Sequence, residues 1–394
     1  VRAIKWASLR IGSRGVIAYV TNGGFLTSNS ADGMRKSLYD EFTAIHVFNL
    51  RGNRRNAGAE GRPIFEAYAK GSGGSIAGIA IIVMVKDDTR SSGCTLRYAQ
   101  VSDFTTAHEK VAEIVQAGSI LGTNPHTIVP DEHGDWLNQR RSDFGTFMPL
   151  YDRGGPSIFG STSKGLTTNR DVWVYNASKE AVSASVETLV GTYTRSLQAD
   201  VPQSEVSRDP HVISWSRRLL SKYAQRQPLS VAADAHRVAL YRPFLRQHVY
   251  FSSDLNEDRR RLPEAFPTPA HANHGVLLTG VSSHYEFCAI ATDAIPDLHL
   301  LDTGQFFARW RYEPIAEPDD GTLDFGTTEE TGETFDGYRR IDNITDAARQ
   351  RFQQTYPSLD ITKDDVFHYV YGVLHSPTYR EAYAADLKKS GSSD

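Results

Sequence analysis

Apolar runs and polar breaks alternate quickly over the first hundred residues. Gly15–Val20 is a short apolar run closed by Thr21, Asn22, Gly23 and Gly24, which predicts a buried strand leading into a turn. Met34, Leu38 and Phe42 recur every four residues within Asp32–Phe42, so they share one face of a predicted helix. Ala44–Leu50 predicts a second strand, and Ile76–Val85 a third that ends at Lys86, Asp87 and Asp88. Between them lies a Gly-, Arg- and Asn-rich connection, Arg51–Ser75. It is long for a compact domain, and loops of that length usually serve a function or lack fixed structure.

Residues 103–117 carry a helical pattern in Phe104, His108, Val111, Ile114 and Val115. From about residue 120 the character shifts to short strand-like runs, prolines and aromatics. Helices are predicted over Glu180–Leu197, Val212–Arg226 and Val366–Lys389, the last restarting at Ser376-Pro377, where proline suits a first helical position. Residues 241–311 read as mixed β, and Pro314–Gly337 as an acidic Gly/Thr-rich loop. The pattern divides the chain into an α/β piece of residues 1–100, a connector of 101–124, and a mixed α+β domain of 125–394.

Composition narrows the class. The 394 residues carry 43 Lys+Arg against 47 Asp+Glu and are 40% hydrophobic, ordinary values for a globular protein. No stretch approaches the ~18 apolar residues of a membrane span. Two cysteines far apart, Cys94 and Cys288, exclude a disulfide framework and fit a reducing cytoplasm. Nine acids and no Lys or Arg fall between Tyr312 and Gly337, so the remainder carries +5 against −4 for the whole. A mildly basic body is compatible with a polyanionic partner. The chain opens on Val1 rather than Met, as a piece of a longer chain would.

Familiar catalytic motifs are missing. There is no G-x-x-x-x-G-K-[ST] phosphate loop and no G-x-S-x-G nucleophile elbow, and the glycines of 22–24 and 71–74 read as turns. His271 and His274 have an H-x-x-H spacing, but Pro267, Pro269 and Gly275 place them in a loop, which predicts a solvated turn rather than a metal site. Asp131-Glu132-His133 has no downstream carboxylate–Lys pair to make it a nuclease centre. No catalytic, cofactor-binding or metal-ligating residue is therefore assigned.

What the chain does carry is basic and amide-rich clusters in predicted loops. Arg forks pair with guanine edges or phosphates, and Asn or Gln amides pair with adenine, so mixed clusters suit DNA. The candidates are Arg51, Asn53, Arg54 and Arg55; Asn138, Gln139, Arg140 and Arg141; and Thr168, Asn169 and Arg170, the last set just ahead of a predicted apolar strand Val172–Val174. Arg217-Arg218 and Arg259–Arg261 are similar but weaker. Arg242, among aromatics, reads as a stacked structural guanidinium, and Trp136, Trp173, Trp215 and Tyr371 as core.

Several longer blocks resemble one known family. Gly15–Leu26 (GVIAYVTNGGFL), Ala31–Lys36 (ADGMRK) and Val47–Asn53 (VFNLRGN) are similar to the later half of a γ-type DNA adenine-N6 methyltransferase domain. Glu132–Arg140 (EHGDWLNQR), Thr168–Asn176 (TNRDVWVYN), Leu240–Phe244 (LYRPF) and Tyr371–Arg380 (YGVLHSPTYR) resemble the target-recognition domain of the type ISP restriction–modification enzymes. These are single chains that also hold an ATP-driven helicase-like motor and a nuclease.

The resemblance implies an α/β remnant of a Rossmann-like class I methyltransferase sheet, its last strand antiparallel, followed by a mixed α+β specificity domain. In that family the S-adenosylmethionine loop and the Asn-Pro-Pro-Tyr-type motif precede the strand that begins here at Gly15. The piece would then hold no cofactor and methylate nothing alone, while the parent uses S-adenosylmethionine, ATP and Mg. Its partners would be duplex DNA and the nuclease, helicase and methyltransferase parts of the parent chain, with no membrane involved. The implied half-sheet leaves Gly15–Val20 at an open edge, which predicts that the specificity domain or a crystal or dimer contact covers it. The alternative is a non-catalytic interaction or scaffold module of a larger helicase-like protein.

Overall fold

A computed structural model of the chain describes residues 2–52, 58, 60–65, 77–89, 93–280, 283, 285–315 and 332–389. It divides into two compact units, Val1–Ser142 and Asp143–Asp394. The first unit runs past residue 100 because the chain after it returns to the same sheet and core.

In the first unit, helix α1 (Arg2–Ser8) precedes strand β1 (Arg14–Asn22), helix α2 (Asp32–Glu41) and strand β2 (Ala44–Arg51). Strands β3 (Ile79–Asp87) and β4 (Thr95–Gln100), helix α3 (Ala107–Ala117) and strand β5 (His126–Ile128) follow. The sheet order is β1-β3-β2-β4-β5. β3 runs antiparallel to both β1 and β2, pairing Arg14 with Asp87 and Ala44 with Val85, while β4 adds parallel to β2. Ile17, Ile45, Val47, Ile82, Met84 and Leu96 form the inner face, and Leu38, Phe42 and Trp136 close over it. The apolar runs predicted to be strands are thus strands because they supply this core.

Two readings change in this unit. Helix α3 begins at Ala107, where Thr106 and Glu109 form a capping box, so Phe104 lies outside it, exposed, at φ +59. No further strand pairs with the outer edge of β1 among the described residues, and Val16 and Val20 are exposed. The cover expected for that edge is not supplied within the sheet.

The second unit holds three small sheets. Its elements are β6 (Ser163–Lys164), α4 (Asp171–Val174), β7 (Tyr175–Asn176), α5 (Lys179–Gln198), α6 (Arg217–Ala224), β8 (His236–Arg242), β9 (Leu245–Tyr250) and α7 (Leu262–Ala265). Then come β10 (Gly275–Leu278), β11 (Ala289–Thr292), β12 (Ile295–Pro296), β13 (Gln305–Ala308), β14 (Trp310–Pro314), β15 (Thr334–Phe335) and β16 (Tyr338–Asp342). Helices α8 (Asp346–Thr355), α9 (Lys363–His375), α10 (Pro377–Ala382) and α11 (Ala384–Lys389) end it. The strand orders are β11-β10-β13-β6, β12-β8-β9-β7 and β14-β16-β15. Val182, Val186, Leu189 and Tyr193 of α5 pack with Trp173, Tyr223, Val249 and Phe306 in the largest core. Phe159, Phe307, Val366, Phe367 and Val370 form another. The whole is a mixed α/β fold with several small sheets.

Val172–Val174 is a turn of helix, not a strand: Thr168 donates to Asp171 at its start, and the turn sets Trp173 and Val174 inward while Val172 faces out. The predicted Val212–Arg226 helix starts only at Arg217, after the Ser216 cap. Pro377 does restart the C-terminal helix, with Ser376 as its N-cap. The loop at 271–274 is solvated only in part: Ala272 and His274 are exposed, while His271 and Asn273 are buried and the Asn273 amide donates to the Ala265 and Trp310 carbonyls. The acidic loop expected at 313–337 lies largely outside the described residues.

Candidate nucleic-acid interface

Arg51, the last residue of β2, takes φ +50 and pairs with Asp103, while its N–H donates to Asn49 Oδ1 at 3.0 Å. Next to it Gly52, at φ +70, leaves no room for a side chain, since a Cβ would meet the Gly61 and Arg62 carbonyls and Lys110 Nζ within 2.8 Å. Lys110 is fully buried and donates to the Leu50 carbonyl at 2.8 Å and the Glu60 carbonyl at 2.9 Å. Burial, with Arg51 adding, pulls its ammonium below the usual lysine range. This lysine ties together the two ends of the chain around residues 51–60. Asn53, Arg54 and Arg55 lie outside the described residues. Gly52→Ala should cost on the order of 3 kcal/mol through the left-handed backbone and the carbonyl clash, read as a lower urea midpoint.

The 138–141 cluster is partly structural. Asp131 Oδ1 accepts from the His133 and Asp135 N–H groups, and its Oδ2 from the Arg140 N–H, which closes a loop. Gln139 donates to the Val129 carbonyl at 2.6 Å. Arg140 Nε donates to Asp135 Oδ2 at 2.9 Å, and Arg35 Nη2 pairs with Asp135 Oδ1 at 2.6 Å. The Arg35 guanidinium also donates to the carbonyls of Gly134, Phe25 and Ser28. Arg35 and Asp135 are 0% and 1% exposed, whereas Arg140 keeps 23% of its side chain in solvent. Asn138, at φ +51, and Arg141 are exposed. The Asp131-Glu132-His133 run therefore works as a turn that orients 138–141, and the surface it offers is Asn138, Gln139, Arg141 and the rim of Arg140.

The 168–170 cluster is mostly enclosed. Thr168 is buried, donates to Asp171 and accepts from the Arg170 N–H at 3.2 Å. Arg170 is buried too; its Nη2 donates to Ser216 Oγ at 2.6 Å, while Nε and Nη1 meet no partner. Burial pulls this guanidinium down to about 10, with Glu257 opposing. Thr168 and Arg170, expected at a DNA contact, have both side chains used inside the fold. Only Asn169, exposed at φ +54, faces solvent from this turn. The weaker arginines are engaged locally: Arg218 reaches the Glu257 carbonyl, Arg260 pairs with Asp258, and Arg261 with Glu264.

A network that sequence reasoning credited only in part lies beside it. Arg242 stacks 3.9 Å over the Tyr241 ring and pairs with Asp297 Oδ1 at 2.8 Å. Tyr175 donates to Asp297 Oδ2 at 3.2 Å, and Tyr241 to Asp171 Oδ2 at 3.1 Å. Burial raises the Asp297 carboxyl above the usual range against the pull of the His299 N–H and Arg242. The network fixes the β8–β9 hairpin to the 168–171 turn. Its tip, Pro243–Phe244, belongs to the Leu240–Phe244 block, and a Pro-x pair between apolar runs is a turn signal. Among the described residues no group of three or more His, Cys, Asp or Glu side chains could hold a metal ion, and no helix is long and apolar enough to cross a membrane.

Comparison with known proteins places this geometry. Three solved structures each match 98% of the chain. They are the ATP-dependent Type ISP restriction–modification enzyme LlaBIII bound to DNA (28% identity, TM-score 0.75), a nuclease-deletion mutant of the Type ISP enzyme LlaGI with a DNA substrate mimic (33%, 0.74), and a DrdV–DNA complex (29%, 0.75). The chain spans 24%, 34% and 36% of those chains, respectively. No curated protein matches. The family model described as the Type ISP C-terminal specificity domain matches residues 157–392, and the chain belongs to that family.

Proposed function

We propose that the chain recognises a specific sequence in duplex DNA on behalf of an adenine-N6 DNA methyltransferase within an ATP-dependent restriction–modification enzyme. The carrying observation is the specificity-domain match over 157–392, joined to likeness along 98% of the chain with enzymes solved on DNA. The loops support it: Asn138, Gln139, Arg141 and Asn169 are exposed amide and guanidinium groups, Arg140 keeps part of its side chain in solvent, and Arg51, mostly covered and paired with Asp103, stands at the start of the first loop. Asn53, Arg54 and Arg55 extend the first of these loops in sequence. Such a combination suits phosphate positioning together with base-edge readout.

The first unit reads as the end of a Rossmann-like class I methyltransferase sheet. β1 and β2 run in the same direction with β3 antiparallel between them, the arrangement that the resemblance implies, and the free edge of β1 is where a preceding strand would pair. The turn after β1 is not read as a cradle for S-adenosylmethionine. The glycine-rich turn after β1 has its N–H groups occupied, Gly23 donating to the Gly78 carbonyl and Gly24 to Asn22 Oδ1. The cofactor, ATP and Mg would belong to other parts of the parent, and this chain alone would read sequence without methylating it.

Retention of a randomised duplex pool at moderate salt, followed by sequencing, tests the reading. One enriched motif containing adenine is expected, with affinity falling steeply as salt rises. Retention without enrichment, or none, overturns it.

A further inference from the structure

Phe244 stands at the tip of the β8–β9 hairpin with 95% of its surface exposed. β8 ends at Arg242 and β9 begins at Leu245, so the turn consists of Pro243 and Phe244 alone. Phe244 takes φ +66. Proline followed by a positive φ is the pattern of a type II turn, whose second central place normally goes to Gly or Asn because a Cβ is crowded there. One residue thus combines two unfavourable features, a bulky side chain in left-handed backbone and an aromatic ring left in water. Glycine would remove both, and the fold would lose no packing. A side chain that its own chain does not need, held in a conformation it disfavours, points to use outside that chain.

The surroundings indicate what that use is. Arg242 and Arg246 flank the tip with 38% and 57% of their side chains exposed, Arg246 also pairing with Asp293 at 2.5 Å. The hairpin end is rigid, since Arg242 is held by Asp297 and Tyr241 by Asp171. On the neighbouring turn Asn169 is exposed, and Val172 is 86% exposed beside Asp171. A stiff two-residue tip bearing one ring between guanidiniums fits a base step flanked by phosphates, where apolar side chains wedge between bases. A protein partner would be better served by a groove or a continuous apolar patch.

We propose that Phe244 is a wedge that inserts between bases of the bound duplex, with Arg242 and Arg246 on the adjacent backbone and Asn169 within reach of the same segment. The proposal rests on the DNA-recognition reading above. Its test uses the full chain and the duplex that wild-type protein enriches from a random pool, with 2-aminopurine placed at successive positions. Wild type should raise the fluorescence at one step, where unstacking occurs. Phe244→Gly should melt at the same temperature as wild type or higher, bind that duplex roughly 5- to 100-fold more weakly, and lose the fluorescence rise. Phe244→Trp should restore both.

Wild-type affinity and an unchanged fluorescence profile in Phe244→Gly would overturn the wedge. A lower melting temperature in Phe244→Gly would overturn its premise, because the ring would then serve the fold. Weaker binding with no fluorescence rise at any position in wild type would overturn insertion and leave a surface contact. Unchanged DNA binding with lost association to another part of a Type ISP enzyme would assign the ring to a protein partner. If wild type enriches no duplex, the DNA reading itself fails, which is a separate result.

Discussion

Asp135→Ala should lower the unfolding free energy by about 3–5 kcal/mol, the usual cost of stranding a buried charge by removing its partner. The stranded group is Arg35, fully enclosed and bonded to Asp135 at 2.6 Å. Three carbonyls, those of Gly134, Phe25 and Ser28, also accept from Arg35, but none carries the charge that offsets its desolvation. Urea unfolding of the full chain followed by circular dichroism reads the loss, and a shift under about 1 kcal/mol would show that the triad contributes little. Replacing Arg35 and Asp135 together by Met and Leu should recover much of it, since an apolar pair of similar volume leaves no charge behind.

Arg140→Ala makes the informative contrast. Its guanidinium is the exposed arm of the triad, and removing it should cost only about 0.5–1 kcal/mol. If it weakens DNA binding by much more than that, Arg140 contacts DNA as well as Asp135. An equal loss in both would confine it to the fold.

The same triad explains what could be read from the sequence. β2 and β3 are legible because both faces are covered, so they appear as unbroken apolar runs; β1 is legible because its exposed face carries Val16 and Val20 beside the buried Ile17, and α5 because its apolar positions recur at helical spacing over 20 residues. β4 carries a readable signal too, as Leu96 and Tyr98 alternate with Thr95 and Arg97, but six residues beside a change of pattern are easily passed over. The Val172–Val174 run failed because three apolar residues fit a strand or a helical turn equally well. Thr168 and Asp171 decide between them through a side-chain hydrogen bond that periodicity does not encode.

The basic clusters were legible only as residue types. Composition identifies the arginines but not their partners. Arg140 shares Asp135 with Arg35, which lies 100 positions from that carboxylate, and Arg170 meets Ser216 across 46. Which guanidiniums are used by the fold and which remain for a ligand is decided by such long-range contacts. Phe244 is visible in the sequence only as the end of the Leu240–Phe244 block: its further meaning lies in a backbone angle and an exposure.

Arg242→Ala should cost about 2–3 kcal/mol at neutral pH, because Asp297, almost fully buried, loses the guanidinium that pairs with it at 2.8 Å. The cost should depend on pH, and the sign follows from the Asp297 carboxyl being raised above its ordinary 3.8. A raised carboxyl binds its proton more tightly in the folded chain than in the unfolded one. Below pH 3.8 both states are protonated and the group carries no penalty. As pH climbs through the raised folded value, the buried carboxylate must ionise and stability falls. Removing Arg242 raises the carboxyl further, which widens that window and deepens the loss above it. Unfolding measured at pH 4 and pH 7 should therefore show variant and wild type closest together at pH 4. An identical difference at both would mean that Arg242 acts by packing on Tyr241 rather than through its charge. The variant also loosens the base on which Phe244 stands, so its DNA affinity should fall further than its stability alone accounts for.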